Sequence, residues 1–181
     1  MVYILLAPGF EEIEALAPAD LMRRAGLEVA LVSVNGTAQV AGSHSITVAA
    51  DCTLDQVDPA RCQLLMLPGG LGGVNGIKAS PTALKLVETV HSQGVPVAAI
   101  CAAPTVLGQL GLLQGRQAVC YPGMEDGLTG ASVPAGERVV VDGTVITGQA
   151  AGSSLDFGLT LIETLLGRDK AEEVRQGVCY R

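Results

Sequence analysis

Val95-Pro96-Val97-Ala98-Ala99-Ile100-Cys101-Ala102-Ala103-Pro104 is the stretch on which the reading of this chain turns. Val95 to Ile100 is apolar without alternation, as suits a strand buried on both faces of a parallel sheet. Pro104 fits a first helical turn, and Val106, Leu107 and Leu110 continue a helix that ends by Gly111. Cys101 therefore sits where a buried strand gives way to a helix.

Working outward, the same alternation recurs. Val2 to Ala7 is a buried strand stopped by Pro8 and Gly9, and Glu11 to Arg24 is a helix with acids in its first turn and Arg23 and Arg24 in its last. Glu28 to Val34 reads as a second strand. The Asn35-Gly36 pair is a two-residue hairpin signal, with arms expected near Gln39-Val40 and Ile46 to Val48. Gln63 to Leu67 is a buried strand stopped by Pro68, after which Gly69 to Gly76 reads as a glycine-rich loop. Ser80-Pro81 opens a helix with Ala83, Val87 and Val90 on one face. Val139 to Val141 and Val145 to Thr147 flank an Asp142-Gly143 turn, and Ser153 to Leu166 and Asp169 to Gln176 are helical. Alternating strands and helices predict a mainly parallel α/β sheet covered on both faces, a three-layer sandwich in one domain over residues 1–181.

Composition narrows the partners. Aromatic residues are 3% of the chain, Trp is absent and the net charge is −7, so base-stacking platforms and phosphate attraction are both missing and no nucleic acid partner is expected. No apolar run approaches the roughly 20 residues of a membrane span, and no basic segment precedes the first one as a secretory signal would require. A cytoplasmic location away from membranes is expected. Cys52, Cys62, Cys101, Cys120 and Cys179 are odd in number and include no CxxC pair, which argues against a disulfide framework or a zinc site, so no metal is expected.

Three loops follow buried strands and should converge at their carboxyl ends: Pro8 to Glu14, Pro68 to Gly76 and Cys101 to Pro104. The first carries carboxylates, the second exposed backbone N–H groups, the third a thiol. A helix start beside Cys101 should favour its thiolate and so both nucleophilic attack and oxidation. Among the acids, position discriminates. Phe10, Ile13, Ala17 and Leu21 define one helical face at about 100° per residue, with Glu14 inside that arc and Glu11 and Glu12 outside it. Glu14 should point inward with a raised pKa, protonated and donating to the sulfur. Gly69 and Gly70 offer N–H groups to an oxyanion or a phosphate. His91 reads as a structural residue in a last helical turn and His44 as a surface residue.

Pro8-Gly9-Phe10-Glu11-Glu12-Ile13-Glu14, Leu67-Pro68-Gly69-Gly70 and Ala98 to Pro104, in that order, resemble the DJ-one branch of the ThiJ/PfpI superfamily, and the similarity runs nearly end to end. The resemblance implies a flavodoxin-like fold, a homodimer, a nucleophile-elbow cysteine at Cys101, a protonated partner at Glu14 and backbone donors from Gly70 and Ala102. It further implies cofactor-free action on small reactive carbonyls such as methylglyoxal, of the glyoxalase or deglycase type, or a redox-sensing or chaperone role through oxidation of Cys101. Two positions depart from the wider pattern. Ala102 follows Cys101 where peptidase-like members carry His, which argues against a protease. Tyr121 precedes Pro122 where some members carry a pocket His, leaving the proton transfers to Glu14. Gly69 and Tyr121 complete the expected pocket.

Overall fold

The computed structural model describes residues 1–181. Strand β1 (Val2–Leu6) is buried along its whole length. It pairs in parallel with β2 (Val29–Ser33) on one side and β6 (Leu64–Leu67) on the other. Its side chains alternate between two cores, as the two-residue period of a strand requires. Tyr3 and Leu5 join one cluster, and Val2, Ile4 and Leu6 join the other. The sheet extends through β7 (Val97–Ile100) to β9 (Val145–Gly148) and β8 (Val139–Asp142), and past β2 to the two-residue β5 (Cys52–Thr53), in the order β5-β2-β1-β6-β7-β9-β8. Only β8 runs antiparallel, joined to β9 by the expected Asp142-Gly143 turn.

Helices cover both faces. Leu65, Leu67 and Ala99 pack with Val74 and Ile77 of α2 (Leu71–Lys78), Ala83 and Val87 of α3 (Pro81–Ser92), and Val106 and Leu107 of α4 (Pro104–Gln109). Ile4, Met66 and Ile100 pack with Leu21 and Met22 of α1 (Glu12–Arg24) and with Phe157 and Leu161 of α5 (Ser154–Leu166). The amphipathic α6 (Arg168–Gly177) adds Ala171 and Val174 to that second core. This is the anticipated flavodoxin-like sandwich. Ser80 caps α3 as expected, its Oγ accepting from the Ala83 N–H at 3.2 Å. No helix is long and apolar enough to cross a membrane.

Two readings need correction. The arms β3 (Gln39–Ala41) and β4 (Thr47–Ala49) do pair, but with each other around residues 42–46. Asn35 and Gly36 instead turn the chain out of β2, where the Asn35 side chain accepts a hydrogen bond from the Ser33 hydroxyl. The second correction concerns the glycine-rich stretch, most of which is helix α2 rather than loop. Glycine is a poor helix former, but here the helix lies against the Pro8–Phe10 turn. A Cβ on Gly73 would stand 2.7 Å from the Phe10 Cα, and one on Gly72 would stand 3.0 Å from the Pro8 carbonyl oxygen. Close approach of two backbones, not loop freedom, explains these glycines.

The sheet edges are closely tied down. Asp51, just before β5, accepts from the Leu31 N–H at 2.8 Å and from Arg23 at 2.9 Å. On the far edge Asp142 accepts from the Gln117 N–H at 2.8 Å and pairs with Arg116 at 3.3 Å.

The α1–α5 crossing depends on Gly158, where an added Cβ would meet Leu21 Cδ1 at 2.8 Å and Pro18 Cα at 3.0 Å. Gly158→Val should therefore cost about 2 kcal/mol through overpacking, read in calorimetry as a thermal midpoint lowered by roughly 4–8 °C.

Candidate active site

Because β1, β6 and β7 are neighbours, the loops that leave their carboxyl ends meet. Cys101 occupies the turn after β7 with φ 65°, a left-handed conformation that is uncommon outside glycine. Its surroundings hold it there: the Cys101 N–H donates to the Gly148 carbonyl at 2.9 Å, and its own carbonyl accepts from the Tyr121 N–H at 2.8 Å. The backbone N–H groups of Ala102 and Gly70 both donate toward its sulfur.

Glu14 lies on the buried face of α1, 1% exposed. Its Oε2 accepts from the Gly69 N–H at 2.9 Å, and its carboxyl also hydrogen-bonds the Cys101 thiol and the Ala151 backbone. Gly69 is wedged between the Glu14 carboxyl and the Cys101 side chain. A Cβ there would collide with Glu14 Oε2 and would lie 2.6 Å from Cys101 Cβ. Gly70 has φ 82° and lies against the Gly9 carbonyl, with 2.6 Å from its would-be Cβ to the Glu11 nitrogen, so only glycine fits.

Burial pushes the Glu14 carboxyl up to about 7, in keeping with an inward acid. Burial also pushes the Cys101 thiol up, to about 12, helped by the Glu14 charge and hydrogen bond and opposed by the two N–H donors. The turn into α4 lowers the thiol through the Ala102 N–H, but burial outweighs it and the other N–H groups of this turn are engaged elsewhere. Pro104 has no N–H, and the Ala103 and Thr105 N–H groups are taken by the Ile100 and Ala102 carbonyls. Burial disfavours the charged form of both partners, and one hydrogen bond joins the Cys101 thiol to the Glu14 carboxyl.

The neighbouring acids are also sorted differently from the expectation. Glu12 is buried at 4%, whereas Ile13 is 56% exposed. Glu12 turns inward beneath the β3–β4 turn, accepting from the His44 N–H at 2.8 Å, with His44 Nδ1 at 3.1 Å and the Ser43 hydroxyl at 3.1 Å. Burial alone would raise its pKa, but its own backbone N–H, the His44 N–H and ring and the Ile46 N–H outweigh it and hold the carboxyl down to about 2. His44 is a surface residue, yet it anchors this turn to α1. Glu12 and His44 carried no periodic signal, since the contact spans 32 residues.

An open cleft of about 490 Å³ reaches the sulfur, lined by Glu11, Gly70, Leu71, Cys101, Ala102, Tyr121, Pro122 and Met124. Tyr121 is part of its lining, while Gly69 lies beneath it between acid and thiol. Cys120 packs into the core on one face of the sheet, while Cys101 packs against the core on the other. His91 is structural, with its ring pushed toward the neutral form by burial and by Arg116.

Fold and site together define an α/β protein with a strand-to-helix cysteine paired to a buried acid. Residues 1–164 match the model of the DJ-1/PfpI family, and the chain belongs to that family. Protein dj-1beta of Drosophila melanogaster is 38% identical over 176 residues, covering 97% of this chain and 94% of the relative. Its crystal structure superposes with a TM-score of 0.95 at 37% identity, covering 99% and 97% of the two chains. The structure of oxidised DJ-1 from Toxoplasma gondii gives a TM-score of 0.94 at 35% identity, covering 99% and 97%. A protein named a deglycase from Pyrococcus abyssi is 33% identical over 152 residues, 83% of this chain and 90% of the relative.

The Glu14 pKa carries a stability consequence. Because it is raised from 4.5 in the unfolded chain to about 7 in the fold, the folded state binds the proton more tightly, and the Glu14 contribution is full below about pH 4.5 and lost as pH rises through about 7. Urea melts of wild type and Glu14→Gln should show the variant gaining on wild type across that window, with a flat difference above it.

Proposed function

We propose that this protein converts small 2-oxoaldehydes such as methylglyoxal to hydroxy acids, or removes their early adducts, in cofactor-free glyoxalase or deglycase chemistry. The observation that carries the reading is the shared hydrogen bond between the Glu14 carboxyl and the Cys101 thiol, at the end of a cleft where two N–H groups point at the sulfur. The deglycase name of the Pyrococcus abyssi relative agrees with it.

A thiol with a pKa raised by burial is a poor nucleophile until its proton leaves, and Glu14 is positioned to take it. As the Cys101 sulfur bonds to the aldehyde carbon, the thiol proton passes to Glu14, and the N–H groups of Gly70 and Ala102 steady the hemithioacetal oxyanion. Glu14 returns that proton to the oxyanion, then as a carboxylate takes the proton from the sulfur-bearing carbon and delivers it to the neighbouring carbon while the hydroxyl proton passes to the second oxygen, giving a 2-hydroxy thioester; water adds to its carbonyl, the C–S bond breaks, and the hydroxy acid leaves as the sulfur regains its proton. Tyr121 and Pro122 stand at the cleft with no histidine beside them, so Glu14 carries every transfer. Ile13 and Ile46, both more than half exposed and lining one shallow hollow with His44, support a homodimer through that face.

Methylglyoxal consumption followed by hydroxy-acid formation tests the reading. Turnover should vanish in Cys101→Ala, fall roughly 10²-fold or more in Glu14→Gln, and in wild type rise with pH through about 7 as the Glu14 carboxyl ionises. Absence of turnover in the intact protein, or full activity in Glu14→Gln, would overturn it. The second reading, a redox sensor or redox-regulated chaperone, draws on the same thiol and on the oxidised state of the Toxoplasma gondii relative. It predicts sulfinic acid confined to Cys101 under limiting peroxide, read by peptide mass, with no turnover.

A further inference from the structure

The cleft above Cys101 has an uneven charge. Of the eight residues that line it, Glu11 is the only one with a charged side chain at neutral pH, and no lysine, arginine or histidine is among them. Leu71, Tyr121, Pro122 and Met124 supply an apolar wall, with Leu71 and Tyr121 largely exposed at the mouth.

Glu11 is not a loose surface acid. Its side chain is only 16% exposed. One carboxylate oxygen accepts from the Ser43 hydroxyl at 2.9 Å, and the other lies 3.4 Å from His44 Nδ1. Its backbone N–H donates to the Gly69 carbonyl at 2.9 Å, which fixes it to the loop that carries the oxyanion donors. Its charge is felt inside the site, where it adds to the upward push that burial begins on Glu14. A fixed anion in a partly apolar cleft acts on an entering charge with little screening. An incoming carboxylate would be desolvated beside Glu11 without a cation to receive it, at a cost no contact on the cleft wall returns.

We infer that Glu11 makes the Cys101 cleft charge-selective, admitting neutral and cationic carbonyl compounds and turning away those that bear a carboxylate. This deepens the reading of the cleft as a carbonyl site and rests on it for the substrate class. It assigns Glu11 a specificity role in which it neither attacks nor transfers a proton.

The test uses three methanethiosulfonates with the same reactive group and different tails: a neutral methyl, a cationic trimethylammonium-ethyl and an anionic sulfonatoethyl. In each, the Cys101 sulfur attacks the sulfenyl sulfur, an S–S bond forms and methanesulfinate leaves with the electron pair, so the ratio of rates cancels the thiolate fraction. Rates are followed at Cys101 by peptide mass, which separates it from the exposed Cys179. Wild type should react faster with the cationic than with the anionic reagent, and Glu11→Gln should lower that ratio on the order of tenfold. Glu163→Gln removes the same charge from an exposed position on α5 and should leave the ratio unchanged. The neutral reagent reports an intact cleft in each variant. An unchanged ratio in Glu11→Gln, or an equal loss in Glu163→Gln, overturns the inference. Because the reagents need no turnover, failure of methylglyoxal conversion would leave this result standing, and the two ideas fail separately.

Discussion

The left-handed backbone of Cys101 is the constraint on which the rest of the site depends. A non-glycine residue in that region persists only when its surroundings insist on it. Here they do so from both sides, through the Gly148 carbonyl and the Tyr121 N–H. Both contacts draw on parts of the fold remote in sequence: the end of β9, and the segment that closes the cleft. The bend brings the sulfur out of the β7 line toward Glu14 and toward the N–H groups of Gly70 and Ala102. Without the parallel order β1-β6-β7 the three loops would not meet, and the thiol would be one more small buried side chain.

Three carboxylates within four positions illustrate how one fold assigns different chemistry to the same group. Glu14 faces apolar packing, and although Gly69, Ala151 and the Cys101 thiol all reach its carboxyl, burial prevails and its proton affinity rises. Glu12 is equally buried but sits among the donors of the β3–β4 turn, and its affinity falls. Glu11 borders the cleft with its charge held in place. For Glu14 burial prevails over the hydrogen bonds, and for Glu12 the hydrogen bonds prevail over burial.

Much of this was legible in the chain. Unbroken apolar runs at Val2 to Ala7 and Val95 to Ile100 report a sheet covered on both faces, and helical spacing singles out Glu14 because α1 buries one side along its length. The places where reading failed share a cause. Ile13 and Glu12 exchange burial because a turn some 32 residues away docks on the first turn of α1, and periodicity has no knowledge of that partner. Gly72 and Gly73 look like loop until the Pro8–Phe10 backbone is laid against them.

The two ends of the sheet have a bearing on how this protein behaves at high concentration. An exposed strand edge invites another chain to add to it, and proteins avoid this by shortening or charging their edges. Here one border is the two-residue β5, preceded by Asp51, which is already engaged by Leu31 and Arg23. The other is the short β8, ending in Asp142 with its carboxylate taken by Gln117 and Arg116. Neither border offers a long, uncharged ladder, so the apolar strands at the centre are fenced from strand-by-strand aggregation, and a protein almost half apolar in composition can keep an open cleft at its sheet end without becoming a seed for fibres.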